Sequence, residues 1–150
     1  MGVRRGRLPH FKKRYIMTDI EKGYLAGLID GEGSVMLMAT GAGKHKVPQV
    51  SVASTDYEII SFLKEHLGGT VSKKTTYAEH HKDSWTWKVT HNKAIELLKI
   101  IEPFMLIPKK KKRAQLIIEK YKEVTPRNGK YSEELLKKKM AFEKDFADIT

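Results

Sequence analysis

Two hairpin-like segments, each flanked by helical segments, most constrain the fold of this chain. In each hairpin a short polar turn joins two strand-like segments: 33–40 with 47–54, and 69–76 with 84–90. The last of these strands alternates aromatic or apolar residues with polar ones, which is the two-residue period of a strand that buries one face. Because a helical segment separates the hairpins, the order of elements predicts an α+β fold with one antiparallel sheet.

Helical segments precede, separate and follow the hairpins. Thr18 and Glu21 form a capping-box pattern at the start of the first helix, and Asp56 stands where it can cap the second. Pro103 ends the third helix, a fourth begins within a run of basic residues, and Ser132 precedes a last amphipathic helix. The fold should therefore contain one sheet and at least five helices.

The charge of the chain points to an anionic partner. The formal net charge is +11 and the pI is about 9.7, which favours nucleic acid as the partner. We expect a basic N-terminal arm at 1–17, a folded domain at 18–125 and a helical extension of the same domain at 126–150. Most of the arm and of the run Lys109–Arg113 should contact phosphates. No apolar run approaches the ~20 residues of a membrane span, so no membrane partner is expected. Without cysteine, disulfides and thiolate zinc sites are excluded.

One face of the predicted sheet has the composition of a surface that recognises DNA. The alternation places apolar residues such as Val50 and Trp87 under the helices, and mostly polar residues and two methionines on the other face. Hydrogen-bonding groups can recognise base edges, and apolar atoms can pack against thymine methyl groups. An ordinary solvated face is the alternative. The predicted DNA-binding residues, with two lysines of the first turn included, are Met36, Met38, Thr40, Lys44, Lys46, Gln49, Ser51, Ser72, Lys74, Thr76, Thr86 and Lys88.

The first helix ends with two acids, Asp30 and Glu32, although a helix C-terminus disfavours negative charge. A divalent cation at this position would explain them, because Mg²⁺ prefers carboxylate and carbonyl oxygens as ligands. The same helix carries a stripe of short side chains at Gly23, Ala26, Gly27 and Asp30. Glycine inside a helix costs about 1 kcal/mol relative to alanine, so the stripe predicts the close approach of another backbone.

These residues lie in the segment LAGLIDGEG, 25–33, which resembles the LAGLIDADG motif of homing endonucleases, some intron maturases and a few transcription regulators. The resemblance extends over about residues 18–121, through both hairpins, the basic run and the segment AQLIIEKY. It implies the αββαββα fold with a four-stranded antiparallel DNA-binding sheet, here with an extra C-terminal helix. The implied function is an intron-encoded homing endonuclease that cleaves a long, near-palindromic double-stranded DNA site.

The resemblance also assigns roles to individual residues. Glu32 is the expected metal ligand, with the backbone carbonyl of Gly31 beside it and Mg²⁺ (or Mn²⁺) as the cofactor. Asp30 is expected to pack and cap the motif helix, although the residues alone leave it open as a ligand. Ser54 stands where the family more often has glutamine or asparagine, and Lys110 is the expected catalytic lysine of the basic run.

A single motif implies a homodimer, because the family pairs two motif helices and delivers two acidic sites to the two DNA strands. The expected interface residues are Gly23, Ala26, Gly27 and Asp30. Two alternatives stay open: a maturase that binds its host intron RNA, and a DNA-binding regulator that does not cleave. The sequence favours no compartment, since the cytoplasm of a prokaryote or phage host and an organelle are all compatible.

Overall fold

A computed structural model describes residues 17–74 and 82–150 of the protein. The helices are α1 (Asp19–Glu32), α2 (Tyr57–Leu67), α3 (His91–Ile101), α4 (Pro108–Lys120) and α5 (Glu133–Ala147), and the strands are β1 (Gly33–Ala39), β2 (Lys46–Ser54), β3 (Thr70–Lys74) and β4 (Ser84–Thr90). A short 3₁₀ helix, Glu102–Phe104, lies between α3 and α4. These elements confirm the predicted α+β class. No helix in the described ranges is long and apolar enough to cross a membrane.

The four strands form one antiparallel sheet in the order β1-β2-β4-β3. The two hairpins meet through their second strands, with Val50 opposite Val89 and Val52 opposite Trp87. Strands β1 and β3 are therefore the outer strands. Gly33, which directly follows α1, is also opposite Val52, so the end of α1 lies near the central pair of strands.

One face of the sheet packs against helices and forms the core. Val50, Val52 and Trp87 are fully buried on this face, as are Leu63 of α2 and Leu98 of α3. Complete burial of a large apolar side chain contributes about 1.5–3 kcal/mol relative to exposure, so these contacts fix which face of the sheet the helices cover. The opposite face of the sheet is exposed.

The start of α2 differs from the prediction, and its end requires glycine. Asp56 occupies the N-cap position of α2, but its side chain makes no capping hydrogen bond; its backbone N–H donates to Ser54 Oγ at 3.0 Å instead. At the other end, Gly69 has a φ of +83°, and a Cβ there would lie 2.5 Å from the carbonyl oxygen of Lys88. Glycine is therefore required between α2 and β3, for both backbone conformation and space.

The C-terminal helix α5 packs against α4 through buried side chains. Phe146 is buried, and the guanidinium of Arg113 lies 5.0 Å from the centroid of its ring. Lys139 is also fully buried: its Nζ donates to Thr125 Oγ1 at 2.8 Å and lies 4.2 Å from the ring centroid of Tyr121. Burial lowers the pKa of Lys139 to about 8, because the apolar surroundings disfavour the charged form.

Two parts of the predicted organisation lie outside the described residues: positions 1–16 of the arm and the second turn at 75–81. Met17, predicted as the last residue of the arm, is buried in the core with an exposure of 5%. Met17 therefore belongs to the folded domain.

Candidate functional site

The end of α1 is the structural centre of the candidate site. Helix α1 passes directly into β1, and Gly33 is both the C-terminal cap of the helix and the first residue of the strand. A Cβ at Gly33 would lie 2.8 Å from Cα of Ile29, so this direct passage requires glycine. Glu32, the last residue of α1, is consequently held at the junction of helix and sheet with its side chain exposed.

A lysine of another helix, α4, interacts with the C-terminal end of α1. The last turn of α1 contains no basic residue, but Lys110 of α4 donates hydrogen bonds from Nζ to the carbonyl oxygens of Ile29 at 3.1 Å and Asp30 at 2.6 Å. A cation here stabilises the helix dipole and the carbonyls that the helix leaves unpaired. Lys110 thus lies at the same helix end as Glu32, as expected of two residues of one site, but its hydrogen bonds to these carbonyls were not predicted from the sequence.

Asp30 has an internal partner. Its Oδ2 accepts a hydrogen bond of 2.7 Å from the backbone N–H of Leu106, which lies between the 3₁₀ helix and α4. Its Oδ1 is buried and has no hydrogen-bond partner among the described residues. These contacts tie the end of α1 to the chain that leads into α4, which agrees with a packing role for Asp30.

Glu32 borders an open depression of about 390 Å³ that it shares with the end of β2 and the start of β4. Ser54, Asp56 and Ser84 also line it. Of these three, only Ser54 belongs to the predicted site. The sequence assigned Asp56 a capping role alone, and the approach of Ser84 follows from the β2–β4 pairing, in which Ser54 is opposite Trp85.

The groups around the depression suit a hard cation such as Mg²⁺. The carboxylates of Glu32 and Asp56 and the hydroxyl of Ser54 are all oxygen donors. Within 17–74 and 82–150, no group of three or more His, Cys, Asp or Glu side chains is placed to hold a metal ion. Mg²⁺ commonly uses one or two carboxylates together with substrate phosphates and water, so this sparse set of donors fits it when a phosphate is present.

The exposed face of the sheet, here called the open face, brings together most of the predicted DNA-binding residues. Met36 of β1 is opposite Gln49 of β2, which is opposite Thr90 of β4. The two-residue alternation also places Ser34 on this face. Ser34 and Thr90 were not among the predicted DNA-binding residues, although the alternation alone was enough to place both on the open face. The predicted residues that share the open face are Met36, Met38, Gln49, Ser51, Ser72, Lys74, Thr86 and Lys88.

The other four predicted DNA-binding residues do not lie on the open face of the strands. Lys46 is the first residue of β2 and is exposed; it has the strand parity of buried Pro48, so it does not belong to the open face. Thr40 and Lys44 lie in the exposed turn between β1 and β2. Thr76 lies outside the described residues.

The basic run at the start of α4 is largely engaged inside the protein. Besides the contacts of Lys110, Lys111 donates from Nζ to two carbonyl oxygens around the 3₁₀ helix, at 2.9 and 3.2 Å. Arg113 donates to a carbonyl oxygen of β1 at 3.3 Å. Only Lys109 and Lys112 of the run are exposed. Three of the five cations of the run therefore donate to backbone carbonyls of other elements, and the contact of the run with phosphates stays a prediction.

Helix α1 exposes a narrow stripe at the protomer surface. Gly27 and Tyr24 are exposed, Gly23 is partly exposed, and Ile20 has an exposure of 85%. A Cβ added at either glycine meets no atom of the described chain within 4 Å. Ala26, predicted to be part of this surface, is instead fully buried within the protomer. The surface stripe therefore consists of Ile20, Gly23, Tyr24 and Gly27.

The motif at the end of α1 is matched by a family model. The model describes the LAGLIDADG endonucleases and matches residues 25–121, which include the depression and all four strands. The chain belongs to the LAGLIDADG endonuclease family. The resemblance stated from the sequence is thereby confirmed, and the family assignment supports an endonuclease activity for this chain.

Solved LAGLIDADG homing endonucleases share the fold of this chain. The homing endonuclease I-CvuI, in complex with its target in the presence of calcium, superposes with a TM-score of 0.68 and 17% identity over 87% of this chain and 82% of that one. The archaeal intron-encoded homing endonuclease I-Vdi141I, complexed with DNA, gives a TM-score of 0.67 and 21% identity over 88% and 85%. The predicted LAGLIDADG fold is therefore confirmed. No curated protein sequence matches the chain significantly.

Proposed function

We propose that this LAGLIDADG protein is a homodimeric homing endonuclease that cleaves both strands of long, near-palindromic DNA with a divalent metal ion, Mg²⁺ or Mn²⁺. The observation that carries the proposal is the position of Glu32. Its exposed carboxylate ends α1 and borders the depression where β2 ends and β4 begins. DNA bound along the open face would bring a phosphodiester to this carboxylate. The presence of DNA in the structures of I-CvuI and I-Vdi141I supports the same substrate class.

The dimensions of the sheet support a long target. Strand β2 contains nine residues, so its two ends lie about 26 Å apart at ~3.3 Å per residue. This length corresponds to about eight base pairs at ~3.4 Å per base pair. Two protomers would therefore cover roughly 16 base pairs, with hydroxyl, amide and ammonium groups of the open face available for base edges.

The roles of the site residues follow from their chemistry. Glu32 and the carbonyl of Gly31 would hold the metal ion, which when bound activates water and stabilises negative charge on the phosphate. Ser54 lines the same depression and can orient a water molecule through its hydroxyl. Lys110 uses two of its three N–H donors on carbonyls of α1, which leaves one for the scissile phosphate.

A homodimer supplies the second acid that cleavage of both strands requires. Each protomer presents one motif helix, and the stripe of Ile20, Gly23, Tyr24 and Gly27 combines exposed apolar side chains with glycines that let another helix approach. A two-fold axis along this stripe would bring the two motif-helix ends to one centre. The near-palindromic character of the target follows from the same symmetry.

The proposed chemistry is tested by Glu32→Gln. On a randomised DNA duplex library with Mg²⁺, the wild type should select and cleave a defined site, whereas the variant should bind that site nearly as well without cleaving it. Glu65→Gln, which neutralises an exposed acid on α2, is the matched control and should cleave normally. Full cleavage by Glu32→Gln would contradict this metal site. Binding without cleavage by the wild type would favour a regulator or maturase instead.

The proposed dimer is tested by Gly27→Leu. A Cβ at this position meets no atom of the described residues within 4 Å, so the variant should fold, but its side chain should separate the two motif helices. Sedimentation at micromolar concentration should show twice 17.2 kDa for the wild type and 17.2 kDa for the variant. Glu65→Leu adds a leucine to a different helix and should remain dimeric. A wild-type monomer that cuts both strands would refute the dimer.

A further inference from the structure

The turn between β1 and β2 borders the open face and is exposed. Residues 40–44 are all exposed, and the turn contains Gly41 and Gly43, the latter with a φ of +71°. Strand β1 is an outer strand, so the hairpin has a neighbouring strand on the β2 side alone. A hairpin of this kind needs an anchor from elsewhere in the chain to hold a defined position.

The C-terminal helix supplies such an anchor through one carboxylate. Glu143 of α5 accepts a hydrogen bond of 3.0 Å at Oε1 from the backbone N–H of Lys46, the first residue of β2 and 97 residues away in the chain. Its Oε2 lies 3.8 Å from Nδ1 of His45, and the ring of His45 packs on Tyr131 with centroids 4.4 Å apart. Glu143 thus holds the end of the turn at two adjacent residues.

Glu143 is itself held on a rigid part of the fold. Its side chain is 18% exposed. Helix α5 packs against α4 where Arg113 lies over the ring of Phe146, and against the segment after α4 where buried Lys139 donates to Thr125. Helix α4 in turn holds the end of α1 through Lys110. A continuous set of contacts therefore links the outer end of the open face to the end of the motif helix.

We infer that Glu143 is a positioning residue that fixes the β1–β2 hairpin, and so sets discrimination among the outer base pairs of the target. The inference rests on the proposed DNA recognition by the open face. The hairpin carries Met38, Thr40 and Lys44, and recognition groups must be held within about 0.5 Å to discriminate. Glu32 lies at the opposite end of β1, and β2 spans about 26 Å between Lys46 and Ser54. Release of the hairpin should therefore spare the cleavage chemistry.

The test compares Glu143→Ala, Glu143→Gln and the control Asp145→Ala, which removes an exposed acid from the same helix. Each variant is assayed with Mg²⁺ on the selected site and on duplexes with single substitutions at each position. Glu143→Ala should lose about tenfold in discrimination at the outer positions, the equivalent of one base contact, with central positions and the rate on the selected site unchanged. Glu143→Gln keeps an acceptor for the Lys46 N–H and should restore discrimination, and Asp145→Ala should match the wild type.

Hydrogen–deuterium exchange tests the contact without DNA. The amide of Lys46 should be protected in the wild type, in Glu143→Gln and in the control, and should exchange at least about tenfold faster in Glu143→Ala. Unchanged exchange, or an equal loss of cleavage at every position, would overturn the inference. Faster exchange together with a wild type that cleaves no duplex would instead refute the proposed function and leave the anchor supported.

Discussion

Lys110→Met removes the cation that holds the end of the motif helix while it keeps most of the apolar stem. The wild-type Nζ donates to two carbonyl oxygens, at 3.1 and 2.6 Å, in a helix whose last turn contains no basic residue. A hydrogen bond that involves a charged group contributes about 1.5–3 kcal/mol. Because Lys110 is only partly buried and water can replace some of this interaction, we expect a total loss of about 2–4 kcal/mol.

Thermal unfolding followed by circular dichroism measures this loss. For a protein of about 150 residues, each kcal/mol shifts Tm by about 2–4 °C, so Lys110→Met should lower Tm by roughly 4–16 °C. Lys112→Met is the matched control, since Lys112 is on the same helix and exposed, and it should shift Tm by no more than about 2 °C. Equal Tm values for the two variants would refute the role of Lys110 in holding α1.

Cleavage assays then separate this structural role from catalysis. At a temperature where both variants are fully folded, Lys110→Met should bind the target site almost as well as the wild type but should cleave it far more slowly. Lys112→Met, which removes an exposed charge, should weaken binding slightly without slowing the cleavage step. Normal turnover by folded Lys110→Met would show that this lysine stabilises α1 and takes no part in cleavage.

Four further predictions concern stability and recognition. Gly43→Ala should lower the free energy of unfolding by about 1–2 kcal/mol for its positive φ alone, and Gly69→Ala by clearly more because of its backbone clash, as measured by urea unfolding. Lys139→Met should raise Tm at pH 7 relative to the wild type. Because the pKa of Lys139 is lowered to about 8 in the folded protein, wild-type stability rises between about pH 8 and 10.5, and the Tm difference between variant and wild type should become smaller over that pH range. Gln49→Ala should relax preference by about 1–3 kcal/mol at one symmetry-related pair of base pairs, and leave the salt dependence of binding unchanged. Deletion of residues 2–14 should weaken binding to all DNA sequences alike. The slope of log K against log salt concentration should become less steep by about 0.9 for each phosphate that the arm neutralises in the wild type.

Local patterns were sufficient to predict the elements of this fold. The capping box at Thr18 and the cap at Ser132 each act on neighbouring backbone groups, and the structure contains the expected contacts at both positions. Alternation along β4 likewise identified the buried face, because the side-chain period of a strand is a local property. The position of Asp56 was predicted from the same rules, but its side chain makes no capping bond.

Residues whose environment depends on distant chain segments were predicted less well. Ala26 has the size and spacing of an interface residue, yet it is buried inside the protomer, where α1 packs against other elements of the same chain. The cations at Lys111 and Arg113 look available for phosphates in the sequence, but carbonyls from other elements accept their hydrogen bonds. Burial and hydrogen bonding of this kind depend on which segments pack together.

The sequence by itself determined the order of elements, the caps at Thr18 and Ser132 and the acid at the end of the motif helix, since each follows from interactions within a few residues. Only the tertiary structure decided that β2 pairs with β4, that Ser84 and Asp56 join Glu32 around one depression, and that Lys110 and Glu143 fix the two ends of the open face. These contacts span up to 97 residues, and a long side chain can find many partners along a chain. Packing of the core determines which partner the side chain meets, because it fixes the relative positions of helices and strands, which local patterns do not determine.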